Sequence, residues 1–187
     1  GVGIDVTQRK QSEEKQRLLY KINQAMTAAE DLDEALEIAL SFICESISWD
    51  YAEAWIPEEE TQRLELCSHF YSNNADLEPF FWGSKKLTFR QNEGVPGLVW
   101  ATQKPEWLCP LSKQLDSVYV RRALAESVQL ETALAIPIQL ETQIVAIFIF
   151  YCQKYRQRDQ HLIELVYSLG NQLAITLQRR RIEQDVR

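Results

Sequence analysis

Apolar residues return at three- and four-residue steps early in the chain, at Leu18, Leu19, Ile22, Ala25, Met26 and Ala29. That period predicts a helix from about Gln8 to Ala29 with a single stripe to bury, either on its own domain or in a dimer seam. Leu32, Ala35, Leu36, Ile38, Ala39, Phe42, Ile43 and Ile47 repeat the pattern, with Asp31 or Asp33 placed to cap a second helix. The period then shortens to two. Trp49 to Ile56 reads as a strand ended by Pro57, and Arg63 to Tyr71 as its hairpin partner, with Leu64, Leu66, Ser68 and Phe70 on one face. Ser72 to Phe89 has no clear period but holds Phe80-Phe81-Trp82, a triplet that cannot all face water. Asp116 to Val128 reads as a helix with Tyr119, Val120, Ala123, Leu124 and Val128 inward. Thr132 to Leu140 and Thr142 to Cys152 read as paired strands. In the second, Ile144 to Phe150 is apolar at every position, so it needs cover on both faces and is central. Leu162, Leu165, Val166, Leu169, Leu173, Thr176 and Leu177 then stripe one helix predicted from Arg158 to Arg187, apolar only as far as Leu177.

Between these elements stands Glu93-Gly94-Val95-Pro96-Gly97-Leu98-Val99-Trp100, running on to Lys104-Pro105-Glu106-Trp107-Leu108. Pro96 suits the first turn of a helix and Pro105 marks its end, so a Gly-rich turn, a helix from about Gly97 to Gln103 and an extended Glu106-Trp107-Leu108 are expected. This turn, helix and strand resemble the signature of GAF sensor domains. Ala133-Leu134-Ala135-Ile136-Pro137-Ile138 and the apolar strand after it resemble the closing hairpin of the same family, which extends the resemblance over about residues 31–177. Gly1 to Glu14, with Asp5-Val6-Thr7 ending a short strand and Asp5 or Thr7 capping the next helix, resembles the tail of a PAS domain passing into a linker helix.

The resemblance implies an α+β fold: a central antiparallel sheet, helices on both sides and long N- and C-terminal signalling helices. Residues 1–30 are then an upstream PAS-like tail and linker, 31–177 the GAF-like domain, and 178–187 a continuation of the signalling helix. It also implies a pocket where the aromatic loop, the Gly94 to Gln103 segment and the Asp116 to Val128 helix meet over one sheet face. The expected lining is Phe70, Trp82, Leu98, Trp100, Trp107, Tyr119, Val120, Ala123 and Ala135. Whether those aromatics surround a ligand or fill the space themselves is left open by the sequence.

Composition narrows the chemistry. A net charge of −7 disfavours a nucleic-acid footprint, and Arg179-Arg180-Arg181 reads as a solvated helix face. The longest apolar run, Ile144 to Cys152, is too short to span a bilayer, and no secretory leader is recognised, so no membrane contact is expected in this segment. Cys44, Cys67, Cys109 and Cys152 contain no Cys-x-x-Cys pair. The first two and the last fall in buried patterns, which fits a reducing cytoplasm. With only His69 and His161, a multi-histidine metal site is excluded, and haem ligation by His69 is weighed below simple packing. Phosphate-cradling loops and nucleophile elbows are missing from the chain.

Bilin-binding relatives attach the chromophore through a cysteine followed by histidine in the region matching Ser112 to Val128. Neither residue occurs there, and Cys109 is followed by Pro110, so no covalent cofactor is expected. The spaced Asn-Lys-x-Phe-Asp-Glu pattern of cyclic-nucleotide-binding relatives is also missing. The resemblance therefore implies a non-catalytic sensory domain of a histidine kinase or cyclic-dinucleotide enzyme. It would bind an unknown small molecule non-covalently and act on other domains of the same polypeptide through a homodimer of its terminal helices. A structural dimerisation module with a filled pocket is the alternative. An enzyme acting on oxidised methionine needs paired reactive cysteines, for which Cys109 is the only loop candidate.

Overall fold

The computed structural model describes residues 2–186, with side chains from Asp5 onward. Its centre is an antiparallel sheet built on β6 (Thr132–Leu140) and β7 (Gln143–Cys152), paired over their full length. Alternation sends Leu134, Ile136, Ile138, Phe148 and Phe150 to one face and Ala133, Ala135, Ile147, Ile149 and Tyr151 to the other. Both faces are covered, as the uninterrupted apolar run requires. β1 (Tyr51–Glu58) lies beside β7, followed outward by β2 (Arg63–Leu66) and β4 (Thr88–Phe89). β5 (Glu106–Leu108) closes the opposite edge against β6, and β3 (Tyr71–Ser72) pairs with the start of β1. Mixed α+β architecture with helices on both faces is thus as expected.

The two N-terminal helices and the C-terminal helix cover one face. α2 (Leu32–Ser46) is capped by Asp31, whose side chain accepts from the Glu34 amide at 2.8 Å. It buries Leu32, Ala35, Leu36, Ala39, Leu40, Ile43 and Cys44. α1 (Val2–Ala28) buries Leu19, Ile22 and Met26 in the same core, so the apolar stripe is used within its own domain. The C-terminal helix runs beside α1 in the same direction: Lys15 reaches Ser168, Asn23 reaches Thr176, and Ala29 reaches Arg180.

Several expectations are corrected. The strand expected before residue 8 is helix from Val2, and Asp5 and Thr7 lie within α1 rather than capping it; Gly1 and Arg187 lie outside the described residues. β1 runs through Pro57 to Glu58 because β7 pairs with it only as far as Trp55, so the missing N–H costs no ladder bond on that side. The single strand expected from Arg63 to Tyr71 breaks after Leu66. Ser68 Oγ donates to Asp33 at 2.6 Å and His69 Nδ1 meets Glu37 at 2.8 Å, drawing the segment onto α2. The irregular Ser72 to Phe89 stretch contains α3 (Glu78–Ser84), with Pro79 in its first turn. The C-terminal helix is two segments, α6 (Gln160–Gln172) and α7 (Ala174–Val186), interrupted at Leu173.

Candidate functional site

On the other face of the sheet, α3, α4 (Gly94–Thr102) and the segment around α5 (Arg122–Ser127) form a cup over β1, β7 and β6. The Gly-Val-Pro-Gly signature seats α4. Gly94 has φ +58°, and a Cβ there would meet the Phe89 ring at 2.8 Å. A Cβ on Gly97 would meet the Arg90 carbonyl oxygen at 2.1 Å, so only glycine allows this close approach. The helix consequently starts at Gly94 rather than Gly97, and presents Val95 and Val99 inward.

At the centre of the cup is a fully buried ion pair. Glu53 points up from β1 between Tyr51 and Trp55, and Arg121 Nη1 donates to its two oxygens at 2.8 and 3.0 Å. The two residues are 0% and 3% exposed. Arg121 Nη1 also donates to Ser84 Oγ at 3.0 Å, and Nη2 to the Tyr151 hydroxyl at 2.7 Å. The Trp55 indole N–H donates to Glu53, and the hydroxyls of Tyr119 and Tyr151 share a bond of 2.8 Å. Arg121 Cζ lies 4.8 Å from the Phe80 ring centroid and 5.2 Å from that of Trp55, which adds cation–π attraction. Tyr51, Phe80 and Tyr151 meet edge to face at 5.0 to 5.7 Å.

A buried carboxylate survives only when paired, and this one has the strongest partner available. Burial works to lower the Arg121 pKa, but the charge of Glu53 and the flanking phenols outweigh it, and the net displacement is upward. Burial pushes the Tyr119 phenol up to about 12, and holds Tyr51 and Tyr151 well above their ordinary value. The Tyr51 hydroxyl is buried with no hydrogen-bond partner of normal geometry, and Glu53 acts on it through its charge.

The structure divides the sequence-derived lining. Tyr119 and Ala135 are buried in the cup, Phe70 stacks on Phe81 at its rim at 4.2 Å, and Trp100 packs half-buried against the same cluster. Leu98 is half-buried on α4, beside the inward Val99. Trp82 is 61% exposed, outside Phe81 and under Lys85, while Phe80 takes the inward place. Trp107 lies on the opposite face: its register with Leu134 points it toward the helices, where it meets Trp49 edge to face at 5.4 Å. Val120 and Ala123 are exposed, because only Arg122–Ser127 of the expected Asp116 to Val128 helix is helical and Arg121 and Ala125 occupy the inward positions. Glu53, Arg121, Ser84, Tyr51 and Tyr151 were not singled out from the sequence. The available signal was Glu53, a carboxylate alternating with two aromatics on one strand face.

Elsewhere, Cys44, Cys67 and Cys152 are buried as expected, and burial raises the thiol pKa of the first two. Among the described residues no three His, Cys, Asp or Glu side chains come together in a way that could hold a metal ion. His69 and Glu37 form a half-exposed pair, the kind that contributes little.

The family model of the GAF domain matches residues 29–178. No curated protein matches the chain. Among solved structures, the chain is similar to the GAF domain of a phosphoenolpyruvate-protein phosphotransferase from Coxiella burnetii, with a TM-score of 0.71 at 20% identity over 91% of this chain and 96% of that one. The corresponding domain from Acinetobacter gives 0.70 at 14% identity, covering 92% and 98%. Free methionine-R-sulfoxide reductase from Neisseria meningitidis, in complex with its substrate, gives 0.62 at 16% identity, covering 89% and 87%.

Proposed function

The chain belongs to the GAF domain family, a family of sensory and regulatory domains, and on that premise we propose that it is a non-catalytic sensor within a larger signalling protein. Its ligand is a small molecule held non-covalently in the cup. The observation that carries this reading is the buried Glu53–Arg121 cluster, which ties the α5 segment and α3 to strands β1 and β7. On their other face those strands carry α2 and α7, against which α1 packs. A ligand that competes for Arg121 loosens the cover of the cup and acts on the same strands, and only a ligand that favours one arrangement transmits anything.

One structural neighbour is an enzyme, so the proposal of no catalysis rests on this chain's own groups. The Cys44 and Cys67 thiols are buried with raised pKa values, the opposite of an activated nucleophile. The parent protein is proposed to be a histidine kinase or cyclic-dinucleotide enzyme in the cytoplasm, with a PAS-like domain upstream; the sequence of its gene tests this. Among the described residues no helix is long and apolar enough to cross a membrane.

A second reading, a dimerisation module with a filled cup, is favoured by the rings of Tyr51, Phe80 and Tyr151, which occupy the space themselves. Calorimetry with amino acids, small carboxylates and cyclic nucleotides separates the two. Under the sensor reading one class raises the melting temperature by an amount matching about 2.7 kcal/mol at a hundredfold excess over Kd, and a Glu53→Leu/Arg121→Met variant loses the effect. No shift with any class, together with no small molecule retained in native mass spectra, supports the dimerisation module. Under both readings the partner is a second copy, joined through Tyr20, Ile175 and Ile182, which project from α1 and α7 at 67%, 60% and 54% exposure. Light scattering should give twice 21.8 kDa, and Ile175→Glu with Ile182→Glu the single mass.

A further inference from the structure

We propose that the C-terminal helix moves as two parts, with α7 a lever hinged at Leu173 and α6 a fixed base. This rests on the relay reading above and names its moving element.

The joint is a change of helical pitch. The Leu173 amide donates to the Gly170 carbonyl three residues back, at 3.1 Å, and the four-residue pattern resumes when the Leu177 amide donates to the Leu173 carbonyl. A single 3₁₀ turn inside a helix is a natural place for bending. The α6 side of the joint is riveted to the sheet. Asn171 donates to the Pro137 carbonyl at 3.1 Å and accepts from the Gln139 amide at 3.0 Å, gripping β6 where its register shifts between Ile138 and Gln139. Ile163, Val166 and Leu169 bury the rest of α6.

Beyond Leu173 the seat changes character. α7 buries only Ala174 and Leu177. Of the four buried side-chain polar atoms without a hydrogen-bond partner among the described residues, Gln178 Oε1 and Arg180 Nε lie on α7. A third, Gln139 Oε1, lies on the end of β6, a strand that α7 packs against. An unpaired buried acceptor costs free energy that water returns once the helix lifts. Besides the buried Ala174 and Leu177, what holds α7 down is polar and exchangeable: Thr176 Oγ1 to Asn23 at 2.8 Å, Arg180 to the Ala29 carbonyl, Arg181 Nη2 to the Pro57 carbonyl at 2.7 Å, and the Leu32 amide to Gln184 at 3.2 Å. Pro57 and Glu53 lie on one strand, so a shift of β1 under the cup reaches this seat directly.

Hydrogen exchange on the ligand-free protein tests the lever. The amides of α7 should exchange together, about tenfold or more faster than those of α6, with a step at Leu173. Gln178→Met removes an unpaired carbonyl and should slow α7 about three- to tenfold while leaving α6 unchanged. Arg181→Ala should speed α7 alone, whereas Asn171→Ala should bring α6 up toward the α7 rate. A smooth gradient from the C-terminus, or an α7 rate unmoved by Gln178→Met, overturns the proposal. No ligand is used, so the lever can fail while the cup still binds, and can hold when the cup binds nothing.

Discussion

The two faces of the sheet are packed by different physics. Toward the helices the core is mainly aliphatic: Leu36, Leu40, Ile43, Met26, Val166 and Leu169 close on Leu134, Ile136 and Phe148, and among the described residues no charged residue is wholly buried there. Toward the cup the sheet presents Tyr51, Glu53, Trp55 and Tyr151, and three of the four buried polar residues among those described, Glu53, Ser84 and Arg121, are there. Aliphatic packing stabilises in proportion to buried area and tolerates substitutions of similar volume. A buried ion pair adds little net stability over an apolar replacement but penalises the loss of either partner heavily. The helix face therefore supplies stability, and the cup fixes one arrangement of its cover.

The most damaging way to break this contrast is Arg121→Met. It leaves Glu53 charged, buried and unpaired, and should cost about 3–5 kcal/mol in urea unfolding. Adding Glu53→Leu to the same variant should recover most of that loss. A cost below about 1 kcal/mol for Arg121→Met alone would mean that the pair is wet and the contrast with the helix face is wrong.

Alkaline titration reaches the same region without a mutation. Unfolded, the Tyr119 phenol ionises near 10.0; in the fold burial defers this to about 12. Between those values the unfolded chain holds fewer protons, so its contribution to stability is intact below pH 10.0 and lost as pH rises toward 12. Two units correspond to about 3 kcal/mol, and Tyr51 and Tyr151, displaced the same way, add to the slope. Tyr119→Phe should flatten the fall between those pH values. A helix-face change such as Leu36→Ala should lower the whole curve without altering its slope.

The smallest effect sharpens where the cup ends. Ala135 is sealed under the helices that cover the cup, so Ala135→Leu should overpack and cost about 1–3 kcal/mol. Ala123 faces water on α5, so Ala123→Leu should stay within about 0.5 kcal/mol. Equal costs at the two positions would show that α5 packs inward over more of its length than Arg121 and Ala125.

Much of the fold was legible because it depends on local period. The stripe of α2 with its Asp31 cap, the doubly covered β7 and the glycine-proline turn at α4 each state their structure within a dozen residues. Of the expected lining, Tyr119, Ala135, Phe70 and Trp100 came together, whereas Trp107, Trp82, Val120 and Ala123 did not. Sequence alone gave Trp107 an extended segment but no register, and register with Leu134 is what turned it to the helices. Reading Asp116 to Val128 as one helix put Val120 and Ala123 inward, a phase that fails once the helix begins only at Arg122.

By itself, then, the sequence determined most of the main elements, the antiparallel α+β class and the family signature, because periodicity, capping and glycine geometry act between neighbours in the chain. Only tertiary structure decided that Glu53 and Arg121 meet, 68 residues apart, or that the stripe of α1 is used within its own core. The break of the last helix at Leu173 likewise lies beside the bonds that Asn171 makes to β6. Such outcomes depend on which distant surfaces compete for a side chain, and a buried charge in particular accepts no neighbour but the one that can neutralise it.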